Sequence, residues 1–116
     1  MADRDPNCLF CKIVAGEIPS DVVHSDDQVV VFRDINPGAP THVLAIPRRH
    51  IPSAADLGDT DGDLLAALFD ALRQVAEQGG LSSYRIVTNV GPDSGQSVLH
   101  LHFHLLGGRR MTWPPG

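Results

Sequence analysis

The chain lacks any long apolar run. Its longest uninterrupted stretch, Leu64 to Phe69, falls far short of the roughly 20 residues a bilayer span requires, so no membrane association is expected. Met1-Ala2-Asp3-Arg4-Asp5-Pro6 has no apolar core of the kind a secretory signal needs, which makes the expected location cytoplasmic. Positive charge is scarce: 9 Lys and Arg stand against 14 Asp and Glu, for a net −5 with histidines neutral. A nonspecific nucleic-acid binder carries the opposite balance on one face, and no nucleic-acid partner is expected. Repeats, low-complexity tracts and linkers are also missing, and 116 residues leave room for one domain, 1–116. Cysteine is limited to Cys8 and Cys11. In a reducing compartment their Cys-x-x-Cys spacing points to metal or redox chemistry before a structural disulfide.

What is present is globular: 42% apolar and 20% charged residues. A domain this small buries a modest share of its surface, so pairing with a second copy would add stability. Leu9 to Ile18 reads as a short helix closed by Gly16 and Pro19. Val22 to His24 and Val29 to Arg33 read as strands joined through Ser25-Asp26-Asp27. Asn36 to Pro40 is turn-rich, His42 to Pro47 is the next strand, and Arg48-Arg49-His50 is a basic turn. A long helix follows. Asp59, Asp61 and Asp63 sit at its dipole-favoured start, and Leu64, Leu65, Leu68, Phe69, Leu72, Val75 and Ala76 share one face before Gly79-Gly80. Tyr84 to Val90 and Val98 to Leu106 complete the strands around a polar loop. The order predicts an α+β domain: an antiparallel sheet of about five strands, with one long and one short helix on one side.

In His100-Leu101-His102-Phe103-His104 histidine alternates with large apolar residues. Strand side chains point to opposite faces in turn, so a strand here packs a core and presents imidazoles on the other face. Three on an unbent strand spread over about 13 Å, too far to share one ion readily. They are therefore expected to divide their labour. Imidazole serves near neutral pH as proton carrier or nucleophile, and a nucleophilic one needs its second nitrogen's proton held by a carbonyl or a neighbouring side chain. His102, flanked on both sides, is the best placed. The preceding loop, Asn89 to Ser97, combines glycines with small polar residues whose amides can approach an anion. It feeds directly into the histidines, which puts both in one cleft.

The run Gly95-Gln96-Ser97 through Leu106 resembles the signature of the histidine-triad (HIT) family. The likeness continues through Phe10 to Pro19, Phe32 to Pro37, Ala39 to Val43, Ile46-Pro47 and Gly107 to Gly116. That ending is similar to the Hint branch, the purine nucleoside phosphoramidases. The resemblance implies that His102 attacks the α-phosphorus of an AMP-type or GMP-type nucleotide. An amine is expelled, and the resulting nucleotidyl-histidine is hydrolysed without a catalytic cofactor. It places Ser97 near the leaving group, and Asn89, the Gly95-Gln96-Ser97 backbone and His104 around phosphate oxygens. His42 supports His102. Phe10, Ile13, Phe32, Arg33 and Ile35 wall the base pocket, and Asp34 takes the ribose hydroxyls. The apolar members equally suit a core, and Asp34 a loop cap.

Cys8-x-x-Cys11 departs from the animal Hint pattern but resembles many bacterial HIT proteins. That likeness implies a structural zinc site of Cys8, Cys11, His50 and His100, with four ligands and no open position. His24 fits no constellation. The resemblance also implies a homodimer whose sheet continues between subunits. Residues 107–116 form a tail that brings Trp113, held between a polar residue and prolines, to the partner's site. Alternatives from the same residues are a dinucleoside polyphosphate or nucleotidyl-sulfate hydrolase, and a nucleotide-binding interaction protein.

Overall fold

The computed structural model describes residues 4–116; residues 1–3, which open the segment read as lacking a secretory core, lie outside the described residues. Helix α1 (Leu9–Val14) is followed by strands β1 (Val22–Ser25), β2 (Val29–Arg33) and β3 (Thr41–Pro47). Helix α2 (Gly62–Gln78) comes next, then β4 (Tyr84–Val87) and β5 (Phe103–Gly107). All five strands join one antiparallel sheet in the order β1-β2-β3-β5-β4. The expected α+β class and strand count agree with this architecture. Among the described residues no helix is long and apolar enough to cross a membrane.

Period-two alternation partitions the core. Val29, Val31, Val43, Ala45, Phe103 and Leu105 face α2, which buries Leu64, Leu68, Ala71, Leu72, Val75 and Ala76 against them. Val30, Phe32, Leu44 and Ile46 point the other way and pack with Phe10, Cys8 and Cys11. The helices therefore cover opposite faces, and the expectation of both on one side is corrected. The β-branched and apolar run of β2 is buried on both faces, as a sandwiched strand must be.

Three elements are shorter than their sequence pattern, and one of them, β4, stops at Val87 rather than Val90. Helix α1 stops at Val14, because Gly16 takes a φ of 76° that ends the helical turn. Strand pairing in the histidine segment begins only at Phe103, although the buried-face alternation already holds from His100. Leu99 breaks it at 66% exposure. His100 and His102 thus precede the ladder, and only His104 lies within it.

Candidate active site and metal centre

The alternation that sends Leu101, Phe103 and Leu105 toward α2 sends His100, His102 and His104 toward α1. His102 is buried, and its Nδ1 lies 2.7 Å from the His100 carbonyl oxygen. A carbonyl only accepts, so Nδ1 carries a proton, and the tautomer this selects has its lone pair at Nε2. This tautomer is what nucleophilic attack requires. Thr88 Oγ1 donates to the His102 carbonyl at 2.8 Å, fixing the backbone on the other side. Sequence patterning gave no signal for Thr88, because the contact spans the unpaired end of two strands.

A second chain of protons converges on His104. The Gly38 amide donates to His42 Nδ1 at 2.8 Å, which forces the His42 proton onto Nε2. That nitrogen stands 2.9 Å from His104 Nδ1 and 3.3 Å from Asp34 Oδ2. His104 Nδ1 accepts, so its own proton sits on Nε2. Burial pushes His104 down to about 4, helped by the neighbouring His102 and His42, while Asp34 pulls the other way. It is therefore a neutral donor at neutral pH. His42 was expected to support His102; its direct partner is His104, whose ring centroid lies 5.1 Å from that of His102.

These groups end a cleft of about 640 Å³ whose lining includes Phe10, Ile13, Phe32, Arg33, Asp34, Ile35, Ser97, His102 and His104. Leu9, Ile18, Pro19, Ser20, Asp21, Asn36, Leu44 and Val98 also line it and were given no site role by the sequence. Phe10 meets Phe32 edge-on at 5.5 Å and His102 at 5.1 Å, a rigid aromatic wall. Asp34 Oδ1 accepts the Asn36 amide at 2.8 Å, so the carboxylate caps its turn and faces the cleft at once.

The loop before the histidines is arranged differently from expectation. The Gly95 amide is occupied by the Pro92 carbonyl at 3.0 Å, because Pro92 to Ser94 form a 3-10 turn that Gly95 closes at φ 100°. Gln96 does not line the cleft. Its buried side chain takes the Gly91 amide and donates to the carbonyls of Pro52 and Val98. Asn89 stands over Gly95, its Nδ2 3.8 Å from where a Cβ would lie. Trp113 is 81% exposed beside Arg85 and does not line this cleft. His24 pairs with Asp26 at 2.8 Å, on the surface.

On the far side of His100, four donor atoms converge. Cys8 Sγ lies 3.3 Å and Cys11 Sγ 3.5 Å from His100 Nδ1, and His50 Nδ1 lies 3.3 Å from both Cys11 Sγ and His100 Nδ1. All four atoms fall within 4.8 Å of one another, and both cysteines are free. Tetrahedral zinc bond lengths require about 3.3 Å between nitrogens and about 3.5 Å between nitrogen and sulfur. The residues fit such an ion. His100 Nε2 donates to the Pro47 carbonyl at 2.9 Å, which leaves the Nδ1 lone pair facing the thiols, the usual outer-shell support of a metal ligand. Cys8 caps α1, and its Sγ accepts the Cys11 amide at 3.3 Å. Burial pushes His100 down to about 4, which keeps its ring neutral as ligation needs, and pushes the Cys8 thiol up, which disfavours the thiolate that a cation would stabilise. Asp34, His42 and His104 form a second grouping of ligand-type side chains. There, however, the protons described above already occupy the space between the donor atoms.

Residues 7–112 match the family described as "Scavenger mRNA decapping enzyme C-term binding". The chain is 48% identical over 97% of its length to a 14 kDa zinc-binding protein of Zea mays, covering 90% of that protein. It is 46% identical over 97% of its length to adenylylsulfatase HINT1 of Arabidopsis thaliana, covering 78% of it. The crystal structure of a HIT family hydrolase from Legionella pneumophila superposes with a TM-score of 0.93 at 54% identity, covering 95% of this chain and all (100%) of that one.

Proposed function

The chain belongs to the histidine-triad family and is a hydrolase; from that premise we propose that it cleaves the P–N bond of purine nucleoside 5′-phosphoramidates. The observation that carries this reading is the fixed tautomer of His102, Nδ1–H on the His100 carbonyl and Nε2 free, at the end of an apolar cleft. His102 Nε2 attacks the α-phosphorus; a P–N bond to the imidazole forms as the bond to the leaving amine breaks, the amine taking from solvent a proton that the attacking water returns in the second step. Water then attacks the same phosphorus and releases AMP or GMP and the free histidine. His104 Nε2–H donates to a non-bridging oxygen whose charge grows in the transition state. Ser97 contributes its hydroxyl and amide beside the leaving group, and the Asn89 amide a further donor. Gly95 serves through its backbone turn rather than its own N–H. Phe10, Ile13, Phe32, Arg33 and Ile35 clasp the base, and the Asp34 carboxylate accepts from the vicinal ribose hydroxyls.

Cys8, Cys11, His50 and His100 hold a zinc ion, which would supply cross-linking of α1 to the β3 turn and the histidine segment. The donor convergence and the zinc-binding relative's name support this. A homodimer extending the sheet across a second copy completes the reading. Trp113, outside its own chain's cleft, then approaches the partner's nucleotide through the 107–116 tail. Sizing with and without residues 112–116 tests this, and a monomer in both cases rejects it. A cytoplasmic setting keeps both thiols reduced, and neither nucleic acid nor a membrane is required as a partner.

The Arabidopsis relative's name favours a second reading, hydrolysis of adenylyl sulfate through the same intermediate with sulfate leaving. Wild type and His102→Asn should be compared on an AMP-amine conjugate, adenylyl sulfate and a diadenosine polyphosphate. Fastest turnover of the conjugate by wild type, with an AMP adduct on His102 trapped by intact mass, is expected. An untouched conjugate rejects the primary reading, and preference for adenylyl sulfate installs the second.

A further inference from the structure

His100 belongs to both centres, and that double membership has a chemical consequence. The residue is fully buried at 0% exposure, and its polar groups point three ways. Its Nε2–H is held by the Pro47 carbonyl, and its own carbonyl holds the Nδ1–H of His102 at 2.7 Å. Only Nδ1, 3.3–3.5 Å from Cys8 Sγ, Cys11 Sγ and His50 Nδ1, lacks a fixed donor. We infer that the metal quartet is a positioning device for the nucleophile: ligation at His100 Nδ1 sets the backbone carbonyl that aligns His102. This rests on the reading of His102 as nucleophile and of the quartet as a zinc site.

Four further contacts support the coupling. The segment carrying His100 and His102 precedes the sheet ladder, so strand pairing does not hold it. Apart from the Thr88 hydroxyl on the His102 carbonyl, it hangs from the residues directly after His50. The Leu101 amide donates to the Ile51 carbonyl at 2.6 Å, and the Gln96 amide group reaches the Pro52 carbonyl at 2.8 Å. Phe10, between the two cysteines on α1, meets the rings of both His100 (6.0 Å) and His102 (5.1 Å) edge-on. Chemistry that draws Cys8, Cys11, His50 and His100 together therefore fixes the nucleophile from its backbone side and from its aromatic wall. A contiguous packed and hydrogen-bonded path of this kind is the physical requirement for coupling two sites. His100 and His50 act here as positioning residues, since neither ring lines the cleft.

The test reads the His102 ring directly. In 15N-histidine-labelled protein, assigned against His102→Asn, the loaded form should show a slowly exchanging Nδ1–H for His102. Chelator stripping or His50→Ala should broaden or abolish that signal. Nucleotidyl-histidine formation should slow by about tenfold or more, the usual scale for lost support around a metal site, with AMP affinity changing less. His50→Cys, which restores four donors, should recover both signal and rate. A metal-free, folded His50→Ala protein with an unchanged signal and rate overturns the proposal and leaves the nucleophile reading intact. Protein purified without metal overturns the zinc reading and this proposal together. Should His50→Ala fail to fold, exchange of zinc for the larger cadmium ion replaces it. The His102 resonance should then shift against the remote His24 control, and an unmoved resonance overturns the coupling.

Discussion

Two clusters of histidine and acid-type side chains lie on either side of His102, and they differ in where their protons point. At Cys8, Cys11, His50 and His100 every donor atom faces inward, and the one ring proton that hydrogen bonding fixes, on His100 Nε2, is turned away to Pro47. At Asp34, His42 and His104 the protons run in line, from the Gly38 amide through His42 to His104. Converging lone pairs make a cation site; a directed row of N–H groups makes an anion site. Each holds two histidines, and the backbone partners, Pro47 in one case and Gly38 in the other, set which way the ring protons point.

Removing the residue between the clusters should have the largest effect. His102→Asn is expected to lower turnover by a factor of about 10³ or more, since no other group replaces a lost nucleophile. Metal content, measured by mass spectrometry, should stay that of wild type. Loss of metal in this variant would break the separation of the two clusters. Cys11→Ser attacks the opposite side. It should lose the ion and about 4 kcal/mol of stability where free zinc stands a thousandfold above Kd. Denaturant titration with and without zinc reads this, and equal midpoints for wild type and variant count against the site.

The directed row carries its own pH signature. His104 has an ordinary value of 6.5 and is pushed by burial to about 4 in the fold. Between those values the unfolded chain takes a proton that the native one refuses. Its contribution to stability is therefore full above pH 6.5, is lost progressively as pH falls to about 4, and is flat below. His104→Asn keeps an acceptor for His42 and removes the titration. Its unfolding midpoint should fall less than that of wild type across the same window. Parallel falls would show that His104 is not held neutral by the fold.

Much of this was legible in the sequence because alternation and spacing carry it. The continuous β-branched run of β2 and the period two of His100 to Leu105 identify buried strands, and the second separates imidazoles from core whether or not the ladder has begun. The apolar face of α2 was read correctly except at its margins. Phe69 is 45% exposed although it touches Phe103, while Ala71 is buried. Which face of the sheet α1 covers was not legible, since a six-residue helix has too few turns to show its buried side. The His42–His104 pairing was equally hidden. It depends on β3 and β5 lying side by side, with Leu44 opposite His104, and no local pattern encodes strand order. The resemblance to the histidine-triad signature is what places the Gly95 backbone at phosphate. The Pro92 turn that occupies the Gly95 amide is a matter of backbone geometry, not composition.

The smallest expected effect concerns Asp34, which touches both a turn and the directed row. Its Oδ1 accepts the Asn36 amide at 2.8 Å, and its Oδ2 stands 3.3 Å from His42 Nε2. Asp34→Asn retains an acceptor for the Asn36 amide, so a residue that merely caps the loop would lose little. A ribose-binding carboxylate would lose one of two acceptor oxygens and its charge-assisted bonds, about 1.5 kcal/mol or roughly a tenfold weaker affinity for AMP. Calorimetry with AMP and 2′-deoxy-AMP separates the two. Wild type should prefer AMP, and Asp34→Asn should bind the two nucleotides about equally. If the variant keeps the full preference, the ribose is read elsewhere, and Asp34 belongs to the turn and to His42 alone.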